Sequence, residues 1–173
     1  MINIREANIN DVNGIANVHV RTWKSTYKGI VNQSYLDRLS VDKSIDNNLR
    51  VLKNNTNLVY VAINVQQEII GFVVAGDCRD KSLGENLGEI YGIYVLKEHS
   101  NKGIGKRLLS IVFDKFLKLG KHSVVVDFLA GNEAEKFYYK LGARYLSSKP
   151  YKIGGLDYLV HTYIWEDLNR KNF

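Results

Sequence analysis

The apolar positions of this 173-residue chain change period from segment to segment, and the changes mark out its elements. Ile2-Asn3-Ile4-Arg5 alternates as a short strand. Asn8 or Asn10 can cap a helix beginning near Asp11, in which Val12, Ile15, Ala16, His19 and Trp23 follow helical spacing. The aromatic segment from Val18 to Leu39 closes with a second short helix, and a polar helix covers Asp42 to Leu52. Leu58 to Ile63 reads as a strand, with Gln66-Gln67 in a hairpin turn before Ile69 to Ala75. In the central stretch, Gly88 to Leu109, a strand containing Ile90, Ile93 and Val95 leads into a polar loop with two glycines and then a helix. Ile104, Leu108, Ile111, Val112, Phe116 and Leu119 form one buried face of that helix, which Gly120 closes. Ser123 to Leu129 is a near-continuous apolar run, as in a strand covered on both faces. A helix from Glu133 to Leu141, ended by Gly142, precedes Arg144 to Tyr151, a Gly154-Gly155 turn and an apolar strand, Tyr158 to Trp165. The order β-α-α-β-β-β-α-β-α-β-β predicts an α/β fold with helices on both faces of a mixed sheet.

Length and composition narrow the class. The chain has the size of one domain, with 45% hydrophobic and 24% charged residues, so it can bury a core and is not a disordered chain. No apolar run is long enough to span a bilayer, and MINIREANIND lacks the apolar stretch of a signal peptide, which predicts a cytoplasmic protein without a membrane partner. Cys78 is the only cysteine, so no internal disulfide and no cysteine-rich metal site can form. The four histidines have no metal-ligand spacing, and no metal is expected. The net charge of +6 is scattered rather than blocked. It suits a polyanionic small molecule or a plain solvated surface better than nucleic acid.

The loop Ser100-Asn101-Lys102-Gly103-Ile104-Gly105 holds the most specific chemistry. Unpaired amides at a helix N-terminus, with the positive end of the helix dipole behind them, suit phosphate oxygens. An ordinary strand-to-helix turn is the alternative. A P-loop needs glycine at Ser100 and Ser or Thr at Arg107; a dinucleotide fingerprint needs Gly or Ala at Leu108. The stretch instead resembles motif A of the GNAT acetyltransferase superfamily, Gln/Arg-x-x-Gly-x-Gly/Ala after a strand. Gly103 and Gly105 match, and Ser100 departs. A second segment, NEAEKFYYKLGA, is similar to the family's Asn-x-x-Ala-x-x-Phe-Tyr-x-Lys-x-Gly-Phe. Ala134, Phe137, Tyr138, Lys140 and Gly142 fall in register, while Asn132 sits one residue closer to Ala134 and Ala143 replaces Phe.

The resemblance implies a single GNAT-like domain over residues 1–173, with a mixed, mostly antiparallel sheet and a splayed strand pair. It implies acetyl-coenzyme A as co-substrate. The pyrophosphate would lie on the loop Ser100 to Gly105 with Lys106, and the pantetheine arm beside Ile93, Tyr94 and Val95. Asn132, Tyr138 and Lys140 would complete the coenzyme site. The segment around Arg21, Trp23 and Tyr27 is similar to the family's acceptor-lining region, although Trp23 and Tyr27 also fit plain core packing. The partner implied is a small-molecule or peptide amine, and a homodimer is compatible.

An amine of pKa ~10 must shed a proton near pH 7, at a cost of ~4 kcal/mol, and a carboxylate can take it. Glu89, at the start of the central strand, matches the position that many members of the family use, and Asp127 on the next strand is its rival. Tyr138 is the expected proton donor to the leaving thiolate, with a core aromatic as the alternative. The Ile93 amide is the expected oxyanion donor. A non-catalytic acyl-coenzyme A sensor and a nucleotide-binding domain are the competing classes.

Overall fold

Asn8 accepts a hydrogen bond from the Asn10 amide and Asp11 accepts one from the Asn8 amide, so the chain enters its first helix through a reciprocal cap. The computed structural model describes residues 2–170. Its strands are β1 (Asn3–Glu6), β2 (Leu58–Ile63), β3 (Ile69–Asp77), β4 (Leu87–Val95), β5 (Ser123–Leu129), β6 (Arg144–Ile153) and β7 (Leu156–Trp165). Its α-helices are α1 (Val12–Thr26), α2 (Gln33–Asp37), α3 (Val41–Lys53), α4 (Ile104–Lys118) and α5 (Ala134–Lys140). Three helices therefore precede β2, matching the three helical segments read from the sequence and one more than the order β-α-α-β counts. Ser40, whose hydroxyl accepts from the Lys43 amide, makes α3 separate from α2.

The strands form one sheet in the order β1-β2-β3-β4-β5-β7-β6, and β4–β5 is its one parallel pair. Helices cover both faces. Neighbouring residues of β4 show this directly: the Tyr94 ring lies 5.2 Å from His19 of α1, whereas the Ile93 side chain points to Gly105 at the start of α4.

The β4–β5 pair is short. It runs from Leu87↔Ser123 to Ile90↔Val126 and stops, although β4 continues to Val95 and β5 to Leu129. A bulge lies at the stopping point: Ile90 is opposite Ala75 and Gly92 is opposite Val74, which leaves Tyr91 without a partner on β3. A bulge bends its strand and sharpens the local twist. Beyond it β4 follows β3, while β5 stays on β7 through Leu129↔Val160. The two central strands fork.

Packing holds the lower, paired part of the fork. Ile104, Leu108, Leu109, Val112, Phe113 and Phe116 of α4 are buried against the sheet. Leu119, expected on that face, is 61% exposed, because α4 ends at Lys118 and the chain reverses at Gly120 with φ +75°. Gly88 lies beneath the Phe116 ring, where an added Cβ would sit 2.7 Å from Cζ. Since Phe116 is only 1% exposed, it has no free space to yield into. Gly88→Ala is accordingly expected to cost about 1–3 kcal/mol through overpacking. A urea midpoint equal to that of the wild type would show that α4 yields at no cost.

Candidate active site

The fork opens into a cleft of about 1060 Å³ that extends from the α4 N-terminus to the α1–α2 connection. At one end is the loop before α4. Asn101 and Gly103 take left-handed backbone angles, φ +61° and +75°, which turn successive amides toward one side. Among the described residues, the amides of Asn101 through Gly105 donate to no protein acceptor, whereas the Arg107 amide donates to the Gly103 carbonyl at 3.1 Å. Gly105 is needed for space: a Cβ there would stand 3.0 Å from the Phe137 ring, itself a wall of the cleft. This end can bind an anion with several oxygens.

Most of the coenzyme residues expected from the sequence come together here. Ile93, Tyr94 and Val95 line the unpaired edge of β4. Ser100, Asn101, Gly103, Ile104, Gly105 and Lys106 form the loop end, and Asn132 and Tyr138 lie across from them. Two expected residues point elsewhere. The Lys102 ammonium turns back onto the Glu98 carbonyl at 3.0 Å, leaving only its amide on the loop. Lys140 is exposed and outside the cleft, since Phe137 and Tyr138 face inward and a residue two positions on lies around the other side of α5.

Three tyrosine hydroxyls converge on the cleft. Tyr138 is 5% exposed, packed on Phe128 at 5.3 Å and Trp165 at 5.9 Å between ring centres. Its hydroxyl makes no hydrogen bond to another described residue and borders the cleft. Burial pushes its pKa far above that of an ordinary phenol, and the neighbouring Tyr27 and Tyr94 hydroxyls add to the shift, so it stays protonated. Tyr27, raised mainly by burial as well, accepts a hydrogen bond from the Asn132 side chain at 3.4 Å. Tyr94 accepts one from the Trp23 indole at 3.4 Å, and burial raises it too.

The expected acceptor residues separate. Tyr27 lines the cleft. Trp23 does not: it stands behind Tyr27, with ring centres 4.5 Å apart, and buttresses Tyr94. Arg21 is on another side of α1 altogether, paired with Glu98 at 2.6 Å beside a second, smaller cavity. Thr22, Ser25 and Thr26, spaced for one helical face, take the position that Arg21 was expected to hold.

Glu89, the base expected from the resemblance, does not line the cleft; it is 3% exposed in the paired part of the fork. One oxygen accepts both Arg79 Nη2 and, at 3.1 Å, Arg79 Nε; the other accepts the Arg79 amide at 2.8 Å. Arg79, which lies 4.6 Å from the Tyr91 ring centre, gave no signal in the sequence, because its role depends on a loop ten residues before Glu89 folding back onto it. Asp127, in contrast, lines the cleft.

Behind Tyr94 lies His19, whose Nδ1 is 2.9 Å from the Ser44 hydroxyl and whose ring packs edge-on to Trp23 and Phe72. No group of three or more His, Cys, Asp or Glu side chains suited to a metal occurs among the described residues. No helix among them is long and apolar enough to cross a membrane.

This architecture is that of an acetyltransferase: the Acetyltransferase (GNAT) family matches residues 19–143, and the chain belongs to that family. It is 31% identical over 98% of its length to an uncharacterized N-acetyltransferase, YuaI, of Bacillus subtilis, spanning 95% of that protein. Spermidine N(1)-acetyltransferase of Thermoplasma acidophilum is 26% identical over 113 residues, 62% of this chain and 66% of that one. The PaiA N-acetyltransferase of the same archaeon, solved in complex with coenzyme A, superposes with a TM-score of 0.71 at 25% identity, over 93% of this chain and 98% of that chain.

Burial lowers the His19 pKa, so the unfolded chain binds a proton there more readily than the folded one. The resulting instability is absent above the unfolded pKa of about 6.5 and grows as pH falls through it, by at most about 1.4 kcal/mol per pH unit. Urea unfolding at two pH values should therefore show a smaller acid loss in His19→Gln than in the wild type. Parallel losses in the two proteins would mean that His19 titrates freely.

Proposed function

We propose that this chain moves an acetyl group from acetyl-coenzyme A to a primary amine, by direct attack within a ternary complex. The observation that carries the reading is the continuity of one cleft, from unpaired amides at a helix N-terminus, along an unpaired strand edge, to a protonated tyrosine without a partner. A pyrophosphate matches the first feature. An extended amide-bearing arm matches the second, since an open strand edge binds such a chain as it would an added strand. A thioester sulfur beside Tyr138 matches the third. Membership of the GNAT family and a coenzyme A complex in a similar structure support the same reading.

Tyr138 assists the leaving group chiefly as a hydrogen-bond donor. With a phenol at ~10 and a thiol at ~8.5, complete proton transfer to sulfur is uphill by ~2 kcal/mol even before burial raises the phenol. A hydrogen bond to a developing thiolate is worth about 1.5–3 kcal/mol. The Ile93 amide, on the edge of β4 freed by the fork, is in reach of the thioester oxygen as it becomes an oxyanion. Tyr27 and the apolar surface around it suit the body of a small, partly apolar amine.

Thermal unfolding with acetyl-coenzyme A, coenzyme A, ATP and NAD tests the cleft. At ~100-fold excess over its dissociation constant, a coenzyme A ligand should add about 2.7 kcal/mol. Stabilisation by ATP or NAD alone would overturn the assignment, and binding of acetyl-coenzyme A without turnover of any amine would indicate a sensor. Tyr138→Phe should lower kcat about 10–150-fold, the rate equivalent of that hydrogen bond, with coenzyme A affinity retained. An unchanged kcat would reduce Tyr138 to a packing residue.

A further inference from the structure

We infer that Asp127, and not Glu89, is the carboxylate that takes the proton from the acceptor amine, an inference that rests on the acetyltransferase reading above. Asp127 follows Val126, the last residue of β5 paired with β4, and is therefore the first β5 residue past the fork. Val125 is opposite Glu89, so the strand alternation puts Asp127 on the same face of the sheet as Glu89. That is the face of α2: Leu129, two residues further on, packs with Leu36. The two carboxylates differ in access. Glu89 is 5% exposed at its side chain and is clamped by Arg79; the Asp127 side chain is 23% exposed and borders the cleft.

They also differ in spare capacity. An ionised carboxylate offers about four acceptor sites. Glu89 spends three of them on Arg79, two on one oxygen. Asp127 spends two, one on each oxygen: Oδ1 accepts from the Thr162 hydroxyl at 2.6 Å and Oδ2 from the Lys149 ammonium at 2.8 Å. Each oxygen keeps one free site, and the two bonds fix the direction in which it points. Arg79 lies close enough to Asp127 to feel its charge, so the Arg79–Glu89 clamp stands beside the Asp127 carboxylate. Glu89 and Arg79 are thus positioning residues at the base of the fork.

The proton balance follows. Asp127 takes one N–H proton from the bound ammonium; the neutral amine then attacks the thioester carbon, and as the C–N bond forms its nitrogen turns cationic and sheds a second N–H proton to water. The C–S bond breaks, and the thiolate leaves hydrogen-bonded to Tyr138 and becomes a thiol. Asp127 returns its proton to solvent, and the sulfur or Tyr138 regains one, so of the two protons lost by nitrogen one ends on sulfur and one in solvent.

The test uses the full chain, acetyl-coenzyme A, and two kinds of nucleophile: spermidine, tyramine and ethanolamine as ordinary amines, and hydroxylamine, which is already unprotonated at neutral pH. Asp127→Asn should lower kcat at least 100-fold with whichever ordinary amine the wild type accepts. It should lower hydroxylamine acetylation far less and leave the affinity for coenzyme A, read by calorimetry, intact. Lys149→Met removes the same ion pair while leaving the carboxylate, and should cost less than tenfold; it separates loss of the base from loss of the pair. Equal losses for both nucleophiles in Asp127→Asn, or a Glu89→Gln variant that binds coenzyme A normally and loses more activity than Asp127→Asn, would overturn the assignment. A wild type that binds coenzyme A and acetylates none of these amines would sink the acetyltransferase reading itself.

Discussion

The architecture depends on one broken ladder. β4 and β5 are parallel neighbours for four residue pairs and then part, at the point where Tyr91 is squeezed out of register with β3. Breaking a sheet in its middle exposes backbone donors and acceptors on both new edges, a cost that an ordinary core would not carry. The flanking ladders make the break tolerable: β3 holds the upper part of β4 through Gly71↔Val95, and β7 holds β5 through Leu129↔Val160. What remains is an open edge inside a rigid frame, which can pair with an extended ligand without a rearrangement of the protein.

The bulge has a second effect. By adding one residue on β4 it re-phases the alternation of side chains, so that Tyr94 turns toward α1 and Ile93 toward α4. Without it, the two would exchange faces. The Trp23–Tyr94 hydrogen bond and the His19–Tyr94 ring contact depend on that choice. The same irregularity therefore opens the cleft and sets which aromatic rings wall it.

Charge is handled differently at the two ends. At the loop before α4, the fixed positive partial charges of amides need no counter-ion and carry no side-chain entropy. At the fork, charges occur in pairs. Glu89 is neutralised by Arg79 almost out of reach of water, and Lys149, whose affinity for its proton is raised chiefly by Asp127, compensates a carboxylate that stays open to the cleft. A pair of the first kind, with its carboxylate buried and three of its acceptor sites filled, stiffens its surroundings and is costly to break, while the second retains chemical capacity. Position in a strand could not separate the two, since both carboxylates lie on the same face of adjacent strands.

Whatever depends on local spacing was legible in the chain itself. The helical period from Ile104 to Phe116, the glycines at 103 and 105, the turn at Gly154-Gly155 and the Ala134-to-Gly142 segment each act within a few residues, so the elements, the anion loop and the position of Tyr138 could be read without coordinates. Whatever depends on a partner distant in sequence could not. Arg21 and Trp23 are two residues apart on one helix, yet only the packing of α1 decides that one pairs with Glu98 and the other supports Tyr94, 71 positions away. The pairing of Glu89 with Arg79, and of Asp127 with Lys149 and Thr162, arises from a folded-back loop and from the β5–β7–β6 ladder. Periodicity is a property of one segment, but access, burial and charge pairing belong to the surfaces that segments make together, and those exist only once the sheet has formed and forked.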